Sequence, residues 1–230
     1  MGISYLAVLT IVYFGWIILS GNIHLFYMIW NVFLSWIPLI IALQMNKLSK
    51  KSGKKIRNNI IVLLLGLVWL LFYPNSPYIT TDFIHLSTKK FYFSNPNYIP
   101  YGLEPRVLYN KDLKVWLEFI NIAIGVWLGY VVGFISLYIN QRLIRKKANN
   151  FISWIFVFVV NMLSGFAIYL GRFIRWNSWD VIKPKNIIAI LTKDINSQSL
   201  KYTLIFGVFC LVLYLINYSI IKLAKEKNYD

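Results

Sequence analysis

The sequence predicts an all-α membrane protein: a polytopic bundle of about six spanning helices forming a single transmembrane domain over residues 1–230. Three observations carry that prediction. Hydrophobic residues make up 58% of the chain against 14% charged, and the mean hydropathy is +0.59, a balance that soluble domains do not keep. The apolar residues gather in six runs, at about 3–21, 23–44, 60–86, 115–139, 151–171 and 200–221, and all but the third offer the ~20 unbroken residues that a crossing helix needs. Basic residues fill alternate connections. Lys47, Lys50, Lys51, Lys54, Lys55 and Arg57 lie between runs two and three, Arg142, Arg145, Lys146 and Lys147 between four and five, and Lys222, Lys225 and Lys227 after six.

The net charge of +16 raises the question of a nucleic-acid partner. Its distribution answers it, because basic loops set orientation in a bilayer. The expected partner is the lipid bilayer of the cell membrane, not nucleic acid, and both termini are expected to be cytoplasmic. The orientation rests on density: the other eleven of the 24 Lys and Arg are spread through two longer loops.

In chain order, the first run has no Lys or Arg ahead of it and no small-residue cleavage pattern behind it, so it reads as a retained span. The connection Ser20–Ile23 allows only a tight turn, which places His24 at the outer end of span two, with Asn31 two turns below on the same face. Pro38 should kink that span. Span three is broken. From Ile60 to Phe72 it has thirteen apolar residues, about 20 Å of helix against a core of about 30 Å. The sequence Pro74-Asn75-Ser76-Pro77 then interrupts it. Ser76 is a natural N-cap and Pro77 suits the first helical position, so a short helix is expected from Pro77 to about Leu86. It should place Tyr78, Asp82 and His85 on one face and Ile79, Phe83 and Leu86 on another, with free amides at its start to attract an anion.

The loop from Ser87 to Lys114, rich in aromatics, is expected to lie on the membrane interface. Span four begins with Trp116-Leu117-Glu118 and carries Gly125, Gly129 and Gly133 at four-residue spacing. Such glycines form a groove for close helix packing, within one chain or between two copies of an oligomer. Span five runs into Gly171-Arg-Phe-Ile-Arg-Trp-Asn-Ser-Trp-Asp180, where Arg172 and Arg175 can reach one side and their planar forks suit carboxylate or phosphate. The segment Lys183 to Ser197, with Ile187, Ile188, Leu191 and Ile195 at helical spacing, reads as a surface helix. The single cysteine, Cys210, lies within span six, which rules out an intramolecular disulfide.

Both long motifs, Pro74 to Leu86 and Gly171 to Asp180, resemble the two signatures of the bacterial integral-membrane family called domain of unknown function 1361. Asn31 to Pro38 and the pattern Gly129, Gly133, Phe134, Ser136, Leu137 are similar to its weaker blocks, so the resemblance covers nearly the whole chain. Relatives tend to carry Trp-Tyr-Asp where this chain has Trp116-Leu117-Glu118. The resemblance implies a multi-span membrane protein and implies no activity.

Topology places Asp82, His85, Glu118, Arg172, Arg175, Asn177 and Asp180 at the outer ends of spans. One reading makes this polar site part of a non-catalytic binding, transport or assembly module, with Asn75, Arg172, Arg175 and Asn177 binding the ligand. The other makes the chain a metal-dependent outer-leaflet hydrolase or transferase acting on an anionic lipid or cell-envelope intermediate. Its catalytic candidates are Asp82, His85, Glu118 and Asp180, and Asp82, His85 and Asp180 would hold a divalent metal such as zinc or manganese. The first is favoured, because discontinuous helices need polar clusters for their own stability.

Overall fold

Among the described residues, six helical segments are long and apolar enough to cross a membrane: Gly2–Leu19, Ile23–Ser49, Ile56–Thr88, Leu113–Lys147, Asn150–Ile174 and Ser197–Glu226. They match the six predicted runs. The computed structural model describes residues 2–50, 55–180 and 183–226; Lys51, Lys54 and Lys227 of the basic segments lie outside the described residues. The regular elements are α1 (Gly2–Leu19), α2 (Phe26–Ser49), α3 (Lys55–Phe72), α4 (Asn75–Tyr78), α5 (Leu113–Lys147), α6 (Asn150–Tyr169), α7 (Pro184–Ala189) and α8 (Ser197–Glu226), with short strands β1 (Tyr92–Ser94) and β2 (Val107–Tyr109). Connections alternate between a basic end, which carries the start of α1 and the end of α8, and an opposite end that holds the irregular segments.

The central post is α5. Within its spanning window 61% of residues are buried, against 17% for α1, and it packs on α1, α2, α4, α6 and α8. Asp112 caps it by accepting from the Lys114 N–H at 3.0 Å, and Arg145, Lys146 and Lys147 in its last turn complement the helix dipole. One core cluster joins Trp69, Tyr130, Phe134 and Tyr214; another joins Tyr13, Met28, Val32, Ile79 and Ile122. In lipid, apolar contact supplies little net drive between helices, so polar bonds and close backbone approach hold them together. Examples are Trp69 Nε1 donating to Ser136 Oγ at 2.7 Å, Tyr214 Oη to Gln141 Oε1 at 2.7 Å and Tyr13 Oη to the Asn121 carbonyl at 2.9 Å.

The glycine groove is filled from within the chain. Side chains of Tyr13 and Met28 occupy the space at Gly125, Ile79 and Ser35 that at Gly129, and Ser76 that at Gly133. All three glycines are buried, so the groove packs within the chain. A second close approach, unforeseen in the sequence, sets α6 against α8, where a Cβ on Gly165 would lie 2.9 Å from Gly207 Cα.

The broken third span departs from its expected form. Helix resumes at Asn75, two residues earlier than expected, and Ser76 is no cap: it lies inside α4 at 1% exposure. The break is a jog with a nearly continuous hydrogen-bond ladder, since Tyr73 N donates to Trp69 O, Ser76 N to Tyr73 O and Tyr78 N to Pro74 O. Two of the four residues 74–77 are prolines without an N–H, so the expected set of free amides is not there. Beyond Tyr78 the chain winds as a 3₁₀ helix from Ile79 to Thr88, longer than such helices usually run. Threonine hydroxyls favour the tighter winding: Thr80 donates to Pro77 O at 2.6 Å and Thr81 to Tyr78 O at 2.7 Å, each bridging three residues back. At three residues per turn, Ile79, Asp82 and His85 stand in one column. Ile79 and Asp82 are buried, while Phe83 and Ile84 turn outward.

The loop expected on the interface contains an antiparallel hairpin pairing Tyr92 with Tyr109 and Ser94 with Val107. Three-residue strands are too short to show an alternation in sequence. In the segment after Lys183, α7 passes into a π turn over Ile190–Asp194, and Ile187, Ile188 and Ile195 are exposed.

Gly133→Ala should destabilise the protein by about 1–3 kcal/mol, because Ser76 Cβ, fixed to the α4 backbone, cannot move aside. Gly129→Ala should cost less, since the Ile79 Cδ1 it meets at 2.8 Å is a side-chain tip that can swing. Thermal unfolding of both variants in detergent checks the order.

Candidate functional site

The site is built around a buried carboxylate. Asp82 is 1% exposed, and burying a charge is costly unless it is paired and hydrogen-bonded. Three elements meet that demand. From α2, Asn31 Nδ2 donates to Asp82 Oδ2 at 2.6 Å. From the π turn Leu170–Ile174 that ends α6, Arg172 Nη2 donates to Asp82 Oδ1 at 2.8 Å. The 3₁₀ helix supplies Thr81, whose Oγ1 accepts from both Arg172 Nε and Nη2. The guanidinium also lies over the Tyr78 ring, 4.7 Å from its centroid. The two long sequence motifs therefore meet directly, as topology predicted.

Beside this pair opens a cavity of about 770 Å³ whose wall includes Tyr27, Asn31, Asn75, Asp82, His85, Arg172, Arg175, Trp176 and Asn177. Asn75 ties its rim together: Nδ2 donates to Phe72 O at 2.8 Å and to Ser178 Oγ at 3.0 Å. That amide's donors are committed, so it offers an anion nothing further. Arg175 is different. It is exposed, its side chain takes part in no ion pair or hydrogen bond among the described residues, and it holds a left-handed backbone (φ 66°, ψ 37°) at the end of the π turn, where its N–H donates to Leu170 O. A non-glycine residue in that conformation costs about 1–2 kcal/mol. The Tyr27 hydroxyl, also on the cavity wall, is buried without a partner among the described residues.

Two predicted members stay outside. Glu118 pairs with Lys89 at 2.7 Å and does not line the cavity. Asp180 accepts from Lys183 Nζ at 2.7 Å and from the backbone and side-chain nitrogens of Asn177 at 3.0 Å. The Lys183 ammonium first, then the Asn177 backbone and side-chain N–H groups, hold its carboxyl down to about 2. The expected metal set of Asp82, His85 and Asp180 is accordingly not assembled, and among the described residues no three His, Cys, Asp or Glu side chains are grouped to hold a metal. His85 Nε2 stands 3.8 Å from Asp82 Oδ1, beyond hydrogen-bond reach, and its ring packs 4.5 Å from that of Tyr27. Both Asp82 oxygens are already bonded, so the pair is not arranged as an acid–base dyad. His24 is exposed in the turn before α2 and away from the cavity wall.

Sequence reasoning missed Asn31, Thr81 and Tyr27 as site members. A signal existed for the first: an amide two turns into an apolar span needs a polar partner. Nothing in the sequence marked Thr81, whose role depends on 3₁₀ winding.

Removing one partner of a buried ion pair costs about 3–5 kcal/mol. Asp82→Asn and Arg172→Gln should each lower the unfolding midpoint strongly, and the double variant should recover part of the loss because no bare charge remains. Arg172→Lys should not rescue, since one ammonium cannot bridge Thr81 and Asp82 as the fork does. For Asp180 the folded pKa is depressed, so its contribution is full above its ordinary value of 3.8 and is lost as pH falls toward about 2. Fluorescence of Trp176 and Trp179 should stay constant from neutral pH down to that window and change within it, and Asp180→Asn should abolish the change.

No curated protein matches the chain. No solved structure matches it either. A family model described as a protein of unknown function (DUF1361) matches residues 30–213, a range that contains both long motifs, the buried Asp82–Arg172 pair and the named residues of the cavity wall except Tyr27. The chain belongs to this family of multi-pass membrane helices.

Proposed function

We propose that this protein is a non-catalytic binding, transport or assembly module of the cell membrane, and that its cavity receives an anionic group at the extracytoplasmic side. The observation that carries the reading is Arg175. Of the two arginines on the cavity wall, Arg172 is neutralised by Asp82, which leaves Arg175 as uncompensated positive charge in a left-handed backbone. Strain of this kind persists where surrounding structure enforces it, and it concentrates at ligand clamps. Asn177 supports the reading: one N–H of its amide goes to Asp180, and the other is free to donate. The buried Tyr27 hydroxyl is a further polar atom that a ligand would satisfy. The side assignment rests on charge density, with Lys47, Lys50, Arg57, Arg142, Arg145, Lys146, Lys147, Lys222 and Lys225 gathered at the end that carries both termini.

Titration of the purified protein with inorganic phosphate and with glycerol 3-phosphate, read by fluorescence of the cavity-wall residues Trp30 and Trp176, should saturate. Arg175→Gly should weaken binding by about tenfold or more, as expected for loss of a charge-assisted bond. It should leave the unfolding midpoint unchanged or raised, because glycine accepts the left-handed backbone freely. Wild-type affinity in Arg175→Gly would overturn the anion reading. For orientation, Asn97→Cys in a Cys210→Ser background should react with an impermeant maleimide added outside intact cells; reaction from the cytoplasmic side alone reverses the assignment.

A further inference from the structure

The cavity does not end at its polar wall. A second, apolar groove of about 330 Å³ runs from it toward the basic end between α3 and α6, and the two spaces share Leu67, Leu70 and Leu163 as lining residues. The groove exists because α3 packs chiefly on α2, and α6 chiefly on α8; between them Trp69 and Phe156 stack at 5.8 Å. Its walls are aliphatic along Leu63, Gly66 and Leu67 of α3 and Val159 and Leu163 of α6, while Ser49, Asn140 and Lys147 stand at its far end. The rim faces outward on both helices, Leu63 being 66% and Leu67 61% exposed, with Val159 and Leu163 each 44%. From Phe156 to Leu163 the groove follows α6 for about 10 Å.

We infer that the anionic ligand is the headgroup of a membrane-embedded amphiphile, which enters sideways between α3 and α6 with its aliphatic chain in the apolar groove. This rests on the anion-binding reading of the cavity and adds the class of ligand. A soluble anion would need the polar cavity alone. Here a cation-bearing polar chamber adjoins, across the shared Leu67, Leu70 and Leu163, an aliphatic groove whose rim faces outward, the division of surface that an amphiphile presents. Lipid tails are as apolar as the groove walls, so the groove adds little affinity of its own. What it supplies is passage: the head can reach Arg175 while the chain stays in an apolar medium. Blocking the groove should therefore exclude long-chain ligands and spare short ones.

Gly66 provides the means. A Cβ there would meet Met45 Cε at 3.6 Å, ordinary contact, so Gly66→Leu puts bulk into the groove without touching the polar cavity; Val159→Trp does so from the opposite wall. Phosphatidic acid with long saturated chains, presented in neutral-lipid nanodiscs, and water-soluble glycerol 3-phosphate are the two probes. Wild-type protein should bind both. Each groove variant should lose about tenfold or more in affinity for phosphatidic acid and keep its affinity for glycerol 3-phosphate, whereas Arg175→Gly should weaken both. Groove variants that bind phosphatidic acid as wild type does would overturn the lateral-entry inference and leave the anion site standing. Loss of both probes together in both groove variants would also overturn it, because the groove would then not be a separable path for the chain. Binding of both probes undiminished in Arg175→Gly would instead remove the reading on which the inference rests.

Discussion

The fully buried carboxylate of Asp82 constrains more of this structure than any other group. A charge at that depth has to be neutralised and hydrogen-bonded by the protein, and each partner comes from a different part of the chain: Asn31 from the second span, Arg172 from the end of the fifth, and Thr81 from beside it through the shared guanidinium. Satisfying Asp82 therefore fixes the depth of α2, the winding of the third span beyond Tyr78 and the direction in which α6 ends. The arginine suits this task because its planar fork reaches the carboxylate and the threonine together and still lies over the Tyr78 ring. The pair is structural first. Its value to a site is that it holds the neighbouring cavity wall in place and leaves Arg175, among the described residues of that wall, without a compensating charge.

Departures from regular helix collect around that cavity. The proline jog, the 3₁₀ run, the π turn and the left-handed Arg175 all lie at the end of the bundle opposite the start of α1 and the end of α8, while α2, α5 and α8 run for 24, 35 and 30 residues. Each departure has a local cause. Two prolines remove donors, threonine hydroxyls bond three residues back, and the π turn closes with Arg175 N donating to Leu170 O, joined by Trp176 N on the same oxygen. Folded sequences break local rules chiefly where function or strain requires it, and the concentration at one place sets this cavity apart from the apolar remainder of the molecule.

The fold was legible because its signal is long. Runs near twenty apolar residues leave few alternatives in a bilayer, and the four-residue spacing of Gly125, Gly129 and Gly133 correctly marked a close approach. That the chain's own Tyr13, Ile79 and Ser76 would fill that groove could not be read, since filling depends on which neighbour arrives there. The site was legible in part. Alternation of spans brings Asp82 and Arg172 to the same end, and they bond. The same reasoning placed Glu118 and Asp180 there too, but each has a lysine within 2.7 Å that takes its charge, so sharing an end of the bundle did not mean sharing a site.

Residue composition and hydropathy period by themselves determined a six-span helical membrane protein, a break in its third span and the two polar motifs at one end, because these follow from the chain's local chemistry and from the obligation to satisfy backbone groups in lipid. The tertiary structure decided which charges cancel, which remain open and where the cavity and the groove beside it lie. Those depend on separations of a few ångströms between residues as much as 90 positions apart, and on a gap between two helices that pack mainly on other neighbours.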